Sequence, residues 1–237
     1  MMQRTVYYLT VSSWLFIISA QVYATDMVDA VELTYNEIEQ NTEPYRVKYK
    51  VSRDFVRIDD ESDSSGYIVF DIKKNTIYSV SHYDRSILVV PEYPHEPYSP
   101  DFEVQVEYKA LDNAPAIQGK QVYNYRVDAI TTVTTETCMD IQLVPGLLPE
   151  IAKTLQGFQE IISSQQLIGL QATPEEFRTP CYLIDQIYNK GDYYSKGLPV
   201  QEWHSNERRR QLINFENIRI DPSIFEIPLD YRQYSLK

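Results

Sequence analysis

Residues Gly66 to Val90, GYIVFDIKKNTIYSVSHYDRSILVV, place three short β runs in 25 residues with only tight polar turns between them. A parallel crossover takes a dozen or more residues, so runs joined this briefly pair antiparallel. This constraint argues against a doubly wound nucleotide-binding fold and predicts a mainly β (α+β) chain, built on a curved antiparallel sheet that encloses something. Upstream, YRVKYKV (Tyr45 to Val51) alternates polar and apolar residues, Arg53-Asp54 makes a turn, and FVRID (Phe55 to Asp59) continues as a second strand. Downstream, strands are expected at Asp101 to Tyr108, Lys120 to Thr134, Cys181 to Asn189 (CYLIDQIYN), Gly197 to His204 and Arg209 to Ile220, before a coda DPSIFEIPLDY. Met27 to Gln40 reads equally as a short helix or as a first strand. Four prolines within PEYPHEPYSP (Pro91 to Pro100) mark an extended surface loop, since each proline removes a ladder donor.

The one strong helical pattern runs from Pro145 to about Leu167. Leu148, Ile151, Leu155, Phe158 and Ile162 recur there at spacings of three and four, which makes one apolar stripe. Such a stripe either completes a core or forms a lid over a cavity, and its five residues are the candidate ligand-contacting face. No internal repeat, low-complexity tract or linker divides the chain, so residues 25–237 are expected to form a single domain.

Residues 1–24 carry one charge, Arg4, then an apolar run from about Tyr7 to Ala20, and end in the small residue Ala24. That is the layout of a secretory signal peptide cleaved near Ala24, and the run is short of the ~20 apolar residues of a membrane anchor. The expected location is the periplasm, without stable membrane insertion. Removing Arg4 leaves 21 basic against 34 acidic residues, a net charge near 21 − 34 = −13. Such a surface repels phosphate backbones and anionic lipid heads, which argues against nucleic acid as a partner. Both cysteines, Cys138 and Cys181, lie in the exported part, where an oxidising compartment favours a disulfide between them.

Three segments carry a resemblance to a known group: FVRID, GYIVFD with the following KKNTIYSV, and SIFEIPLDY (Ser223 to Tyr231). They resemble exported bacterial proteins of the LolA/LolB-like periplasmic lipoprotein-carrier superfamily, over roughly residues 45–90 and 197–231. The resemblance implies an incomplete half-barrel of antiparallel strands, with helices packed on its open side and an apolar cavity between. Carriers of this type hold acyl chains, and a related fold serves in sensors of envelope stress. The cystine pair with the helical stretch between its members, and a chain that ends soon after Tyr231, depart from that pattern.

Catalytic and metal signatures are absent from the sequence. His82, His95 and His204 stand far apart without H-x-x-H or H-E-x-x-H spacing, and His82 with Asp84 reads as a solvated hairpin end. No G-x-S-x-G elbow and no glycine-rich phosphate loop occurs, so neither an enzyme nor a cofactor is expected. The acidic stretch Asp59 to Gly66 has Ser64 where a calcium loop needs its glycine and Phe70 where it needs its glutamate, and reads as a solvated turn. Arg208-Arg209-Arg210, the sole basic cluster, reads as charge protecting an exposed strand edge, or as a docking patch. The expected function is non-enzymatic binding or carriage of an apolar small molecule or lipid. The alternative is an envelope protein-interaction or stress-sensing scaffold that presents its proline-rich loop or an edge strand to a partner.

Overall fold

The computed structural model describes residues 26–94 and 100–235, so the expected signal peptide and His95 lie outside the described residues. Twelve strands form one large, open, curved sheet that does not close. In chain order they are β1 (Val28–Ile38), β2 (Tyr45–Ser52), β3 (Phe55–Asp60), β4 (Gly66–Asp71), β5 (Thr76–Ser81), β6 (Ser86–Pro91), β7 (Glu103–Ala110), β8 (Tyr123–Ile130), β9 (Thr135–Val144), β10 (Leu198–His204), β11 (Arg209–Ile220) and β12 (Arg232–Tyr234). Their spatial order is β12-β6-β5-β4-β3-β2-β1-β11-β10-β9-β8-β7. Every pairing is antiparallel except β12 on β6. The N-terminal half of the sheet, β1 to β6, meets the C-terminal strands through β1 on β11, a long pair in the middle of the sheet that brings the first and next-to-last strands together.

The Gly66 to Val90 meander forms as expected, as β4, β5 and β6. Both of its faces are covered. Phe70, Ile77 and Val90 join the core under the main helix, with the Phe70 and Phe158 rings 5.9 Å apart. The opposite face, with Val69, Val80 and Ile87 buried, lies against the coda. Phe225 stacks on Phe55 at 5.5 Å, and the Tyr67 hydroxyl donates to the Glu226 carbonyl at 2.9 Å. His82 is exposed in the β5–β6 hairpin turn, as expected, and its Nδ1 lies 2.8 Å from the Tyr231 hydroxyl. The acidic turn is held by local caps: Asp60 accepts from Ser62 N–H and Asp63 from Ser65 N–H, each at 2.7 Å.

Met27 to Gln40 resolves as β1, an interior strand whose Leu33 and Tyr35 are buried between β2 and β11. The expected long strand from Lys120 to Thr134 is shorter, β8, with its register shifted between Val127 and Asp128. A turn in which Thr131 N–H donates to the Thr134 carbonyl then leads into β9. In β9, Met139, Ile141 and Leu143 alternate with Asp140 and Gln142, a period-2 signal passed over in the sequence reading.

The main helix, α1 (Pro149–Gly169), begins later than its apolar stripe suggests. Gly146 and Leu148 take positive φ values of 68° and 45°, so the chain turns sharply before Pro149 starts the helix. Cys181 to Asn189 is not a strand. Its β-rich composition is overridden by helix-start chemistry: the Thr179 side chain accepts from Tyr182 N–H, Pro180 occupies the first turn, and α2 (Pro180–Leu183) runs into a π-helical turn, Ile184–Tyr188. The Cys138–Cys181 disulfide bonds this helical segment to β9, with the Cα atoms 4.8 Å apart. Among the described residues, no helix is long and apolar enough to cross a membrane.

Candidate functional site

The hairpin β10-β11 turns at Ser205 to Glu207, which sets Glu202 directly opposite Arg210. Because side chains on a strand alternate, Glu202 and His204 share the concave face, as do Arg208 and Arg210 across from them. The same row continues through Glu37 on β1, opposite Arg210, and through Ile141 on β9, opposite Glu202. The strand pattern thus lays a rung of charge across the middle of a face that is otherwise apolar. The α1 segment and the π-helical turn then cover it.

Arg210 is the centre of this rung. Its Nε donates to Glu202 Oε1 at 3.0 Å, and its Nη2 also reaches Glu202. The remaining donors go to Tyr194 Oη at 2.8 Å and Tyr49 Oη at 3.2 Å, while the guanidinium lies 4.6 Å from the Tyr35 ring centre. These partners satisfy a largely covered arginine, whose side chain is 14% exposed beside a Glu202 at 3%. The Tyr35 hydroxyl itself is buried with no hydrogen-bond partner. Beside Arg210, His204 Nδ1 sits 2.7 Å from Asp185 Oδ1 and its Nε2 3.4 Å from Glu202 Oε2. Arg208 Nη2 reaches the same Asp185 oxygen at 3.3 Å.

The electrostatics follow from this packing. Burial opposes ionisation of Asp185 and Glu202, but the hydrogen bonds and charges of His204, Arg208 and Arg210 outweigh it and hold both carboxylates down at about 2. Burial also pulls His204 down, and hydrogen bonds to Asp185 and Glu202 more than offset that pull, so its value is raised. Glu37 is raised, chiefly by burial. The site therefore holds a closed network of opposite charges. Each one is expensive to bury alone and tolerable only with its partners.

Between this network and α1 lies a cavity of about 220 Å³. Its helix wall is Leu155, Phe158 and Ile162, with Gln159 among them, and its floor is made of Tyr49, Tyr193, Tyr194, Glu202 and Arg210. Three of the five residues predicted for the ligand face therefore meet at one cavity. The other two do not. Leu148 sits at the helix start, half-buried against the core, and Ile151 faces a separate groove beside Ala30, Val31 and Val51. Helical drift along a 21-residue helix spreads the stripe over two neighbourhoods.

Of the two readings of Arg208 to Arg210, edge protection or a docking patch, the structure corrects the first. The strand that carries Arg209 and Arg210, β11, is interior to the sheet, and Arg208 and Arg210 turn toward the acidic partners under α1 while Arg209 is exposed. The signal was present in the hairpin register: E-x-H before a short turn and R-x-R after it put Glu202 face to face with Arg210 and His204 beside Arg208. Asp185 could not be found this way, because it arrives from a helical segment. Among the described residues, no group of His, Cys, Asp and Glu side chains is arranged to hold a metal ion.

No protein-family model matches the chain, and no curated protein matches it. Among solved structures it is similar to two crystal forms of PNGF-II, one in space group C2 and one in P21. In the first the identity is 10% and the TM-score 0.40, with 88% of this chain and 31% of that one covered. In the second the identity is 9%, again with a TM-score of 0.40 and 88% of this chain covered, and 32% of the other. The chain thus spans about a third of the length of these structures. A likeness this slight carries no argument about function.

Proposed function

We propose that the protein is a non-enzymatic periplasmic binding or carrier protein for an apolar small molecule or the acyl part of a lipid, held between a LolA-like half-barrel and α1. The observation that carries this reading is the cavity whose helix wall is Leu155, Phe158 and Ile162. Its tyrosine and arginine floor suits a ligand with an apolar body and one polar end. The Cys138–Cys181 disulfide fits an exported protein, and it tethers the segment that closes one side of the cavity.

Native mass spectrometry of protein purified gently from the periplasm, repeated after denaturing extraction, tests the proposal. A co-purifying apolar molecule, lost from a Leu155→Trp variant that fills the cavity, is the expected result. A bare mass throughout overturns it.

A second reading, an envelope interaction or stress-sensing scaffold on the same fold, is favoured by one observation. At about 220 Å³ the cavity falls below the roughly 300 Å³ at which ligand pockets usually begin, and the charges on its floor already satisfy one another. A bound polypeptide in the same experiment supports this second reading.

A further inference from the structure

The two edges of the sheet are finished differently. At one end, β12 is three residues long, parallel to its neighbour and led by Arg232, a short charged edge that resists further pairing. At the other end stands β7, eight residues of regular strand, paired with β8 along its whole length without a bulge. Among the described residues, nothing pairs with its outer edge. All but Ala110 of its residues are exposed. Val104, Val106 and Tyr108 lie opposite Ala129, Val127 and Tyr125, so they extend the apolar core face beyond the point where the core ends. They stand 36%, 49% and 39% exposed, with Tyr108 stacked on Tyr123 at 5.0 Å. A long, regular edge with an apolar row is a template for strand addition.

The strand's own sequence selects the occupant. We propose that β7 is a self-docking edge, in which two copies of this chain pair their β7 strands antiparallel about a twofold axis through Val106 and continue one sheet across the dimer. In that register Glu103 faces Lys109 of the second copy, at both ends of the interface, Val104 faces Tyr108, and Val106 faces itself. One face of the joint is then apolar and the other carries two opposite-charge pairs. Neighbouring registers lack this match. An axis through Gln105 sets Glu103 against Glu107, and an axis through Glu107 sets that carboxylate against its own copy. The isologous joint uses up both β7 edges, so association stops at two. A single strand from each copy makes a small interface, and the dimer is correspondingly weak. The inference is independent of what the cavity beneath α1 holds.

Sedimentation equilibrium of the purified protein from micromolar to hundreds of micromolar tests it, and a monomer–dimer equilibrium with no larger species is expected. Val106→Lys, which places like charges on the axis, should leave monomer at every concentration while circular dichroism is unchanged. Glu103→Lys should weaken the dimer about tenfold, and the double exchange Glu103→Lys with Lys109→Glu should restore it. Val106→Cys should crosslink the dimer and Gln105→Cys should not, because only position 106 meets itself across the axis at disulfide distance. A wild type monomeric throughout, an open-ended ladder of oligomers, a dimer indifferent to Val106→Lys, or a double exchange that fails to recover would each overturn the proposal. The Leu155→Trp variant should dimerise normally, which separates this result from the fate of the carrier reading.

Discussion

One sheet presents two different surfaces to the rest of the core. Over β3 to β6 the concave face is aliphatic and aromatic, with Val56, Phe70, Ile77 and Val90 buried in a single cluster. Over β10 and β11 the same face carries Glu202, His204, Arg208 and Arg210, joined by Asp185. The first region is stabilised by area removed from water, which tolerates small changes of shape. The second depends on partners, and losing one leaves an uncompensated charge on a largely buried carboxylate such as Glu202 or Asp185. The meander is therefore forgiving and the ionic rung is brittle.

The sharpest way to break this contrast is Arg210→Met. It should cost about 3 to 5 kcal/mol, measured by urea unfolding, because Glu202 remains buried without its guanidinium. Adding Glu202→Leu to that variant should recover most of the loss, and a double variant no more stable than the single one would show that the rung is not organised around this pair. Reduction of the Cys138–Cys181 disulfide comes next, at about 2 to 4 kcal/mol by thermal unfolding with and without reductant. It should expose the segment carrying Asp185 to hydrogen exchange before the meander.

Acidity gives a smaller effect with a definite sign. Asp185 and Glu202 are depressed to about 2 from ordinary values of 3.8 and 4.5, so their contribution is present above about 4.5 and is lost as the pH falls toward 2. His204 is raised above 6.5, so its contribution is present below that value and is lost as the pH rises through the raised one. Stability should peak between about 4.5 and 6.5 and fall on either side, with Glu37, Arg208 and Arg210 facing the same groups. A His204→Gln variant should lose the alkaline fall, and an unchanged profile would contradict the assignment. At the small end, Ile77→Val in the meander should cost only ~1 kcal/mol, with no change in the pH profile.

The meander was legible in the sequence because its turns are short and its partners adjacent. Residues 66–91 need no information from elsewhere to pair. The helix was legible from its stripe, but not the division of that stripe, since which of Leu148, Ile151 and Leu155 meets a cavity depends on strands far off in sequence on both sides of the helix. Cys181 to Asn189 was misread because composition favours a strand, while the Thr179-Pro180 start and the tether to Cys138 impose helix. The arginine cluster was misread for a related reason: charge in a strand signals exposure unless the register of the next strand supplies its partner.

By itself the sequence determined the antiparallel order of β2 to β6, the place of α1 and the pairing of the two cysteines, because each rests on local spacing or on there being one possible partner. Only the tertiary structure decided that β1 and β11 pair in the middle of the sheet, that Arg210 packs on Glu202, and that Asp185 closes the network from a helical turn. The physical reason is the range of the forces involved. Turns and periodicity act within a few residues, whereas a buried charge is decided by whichever distant side chain arrives to neutralise it.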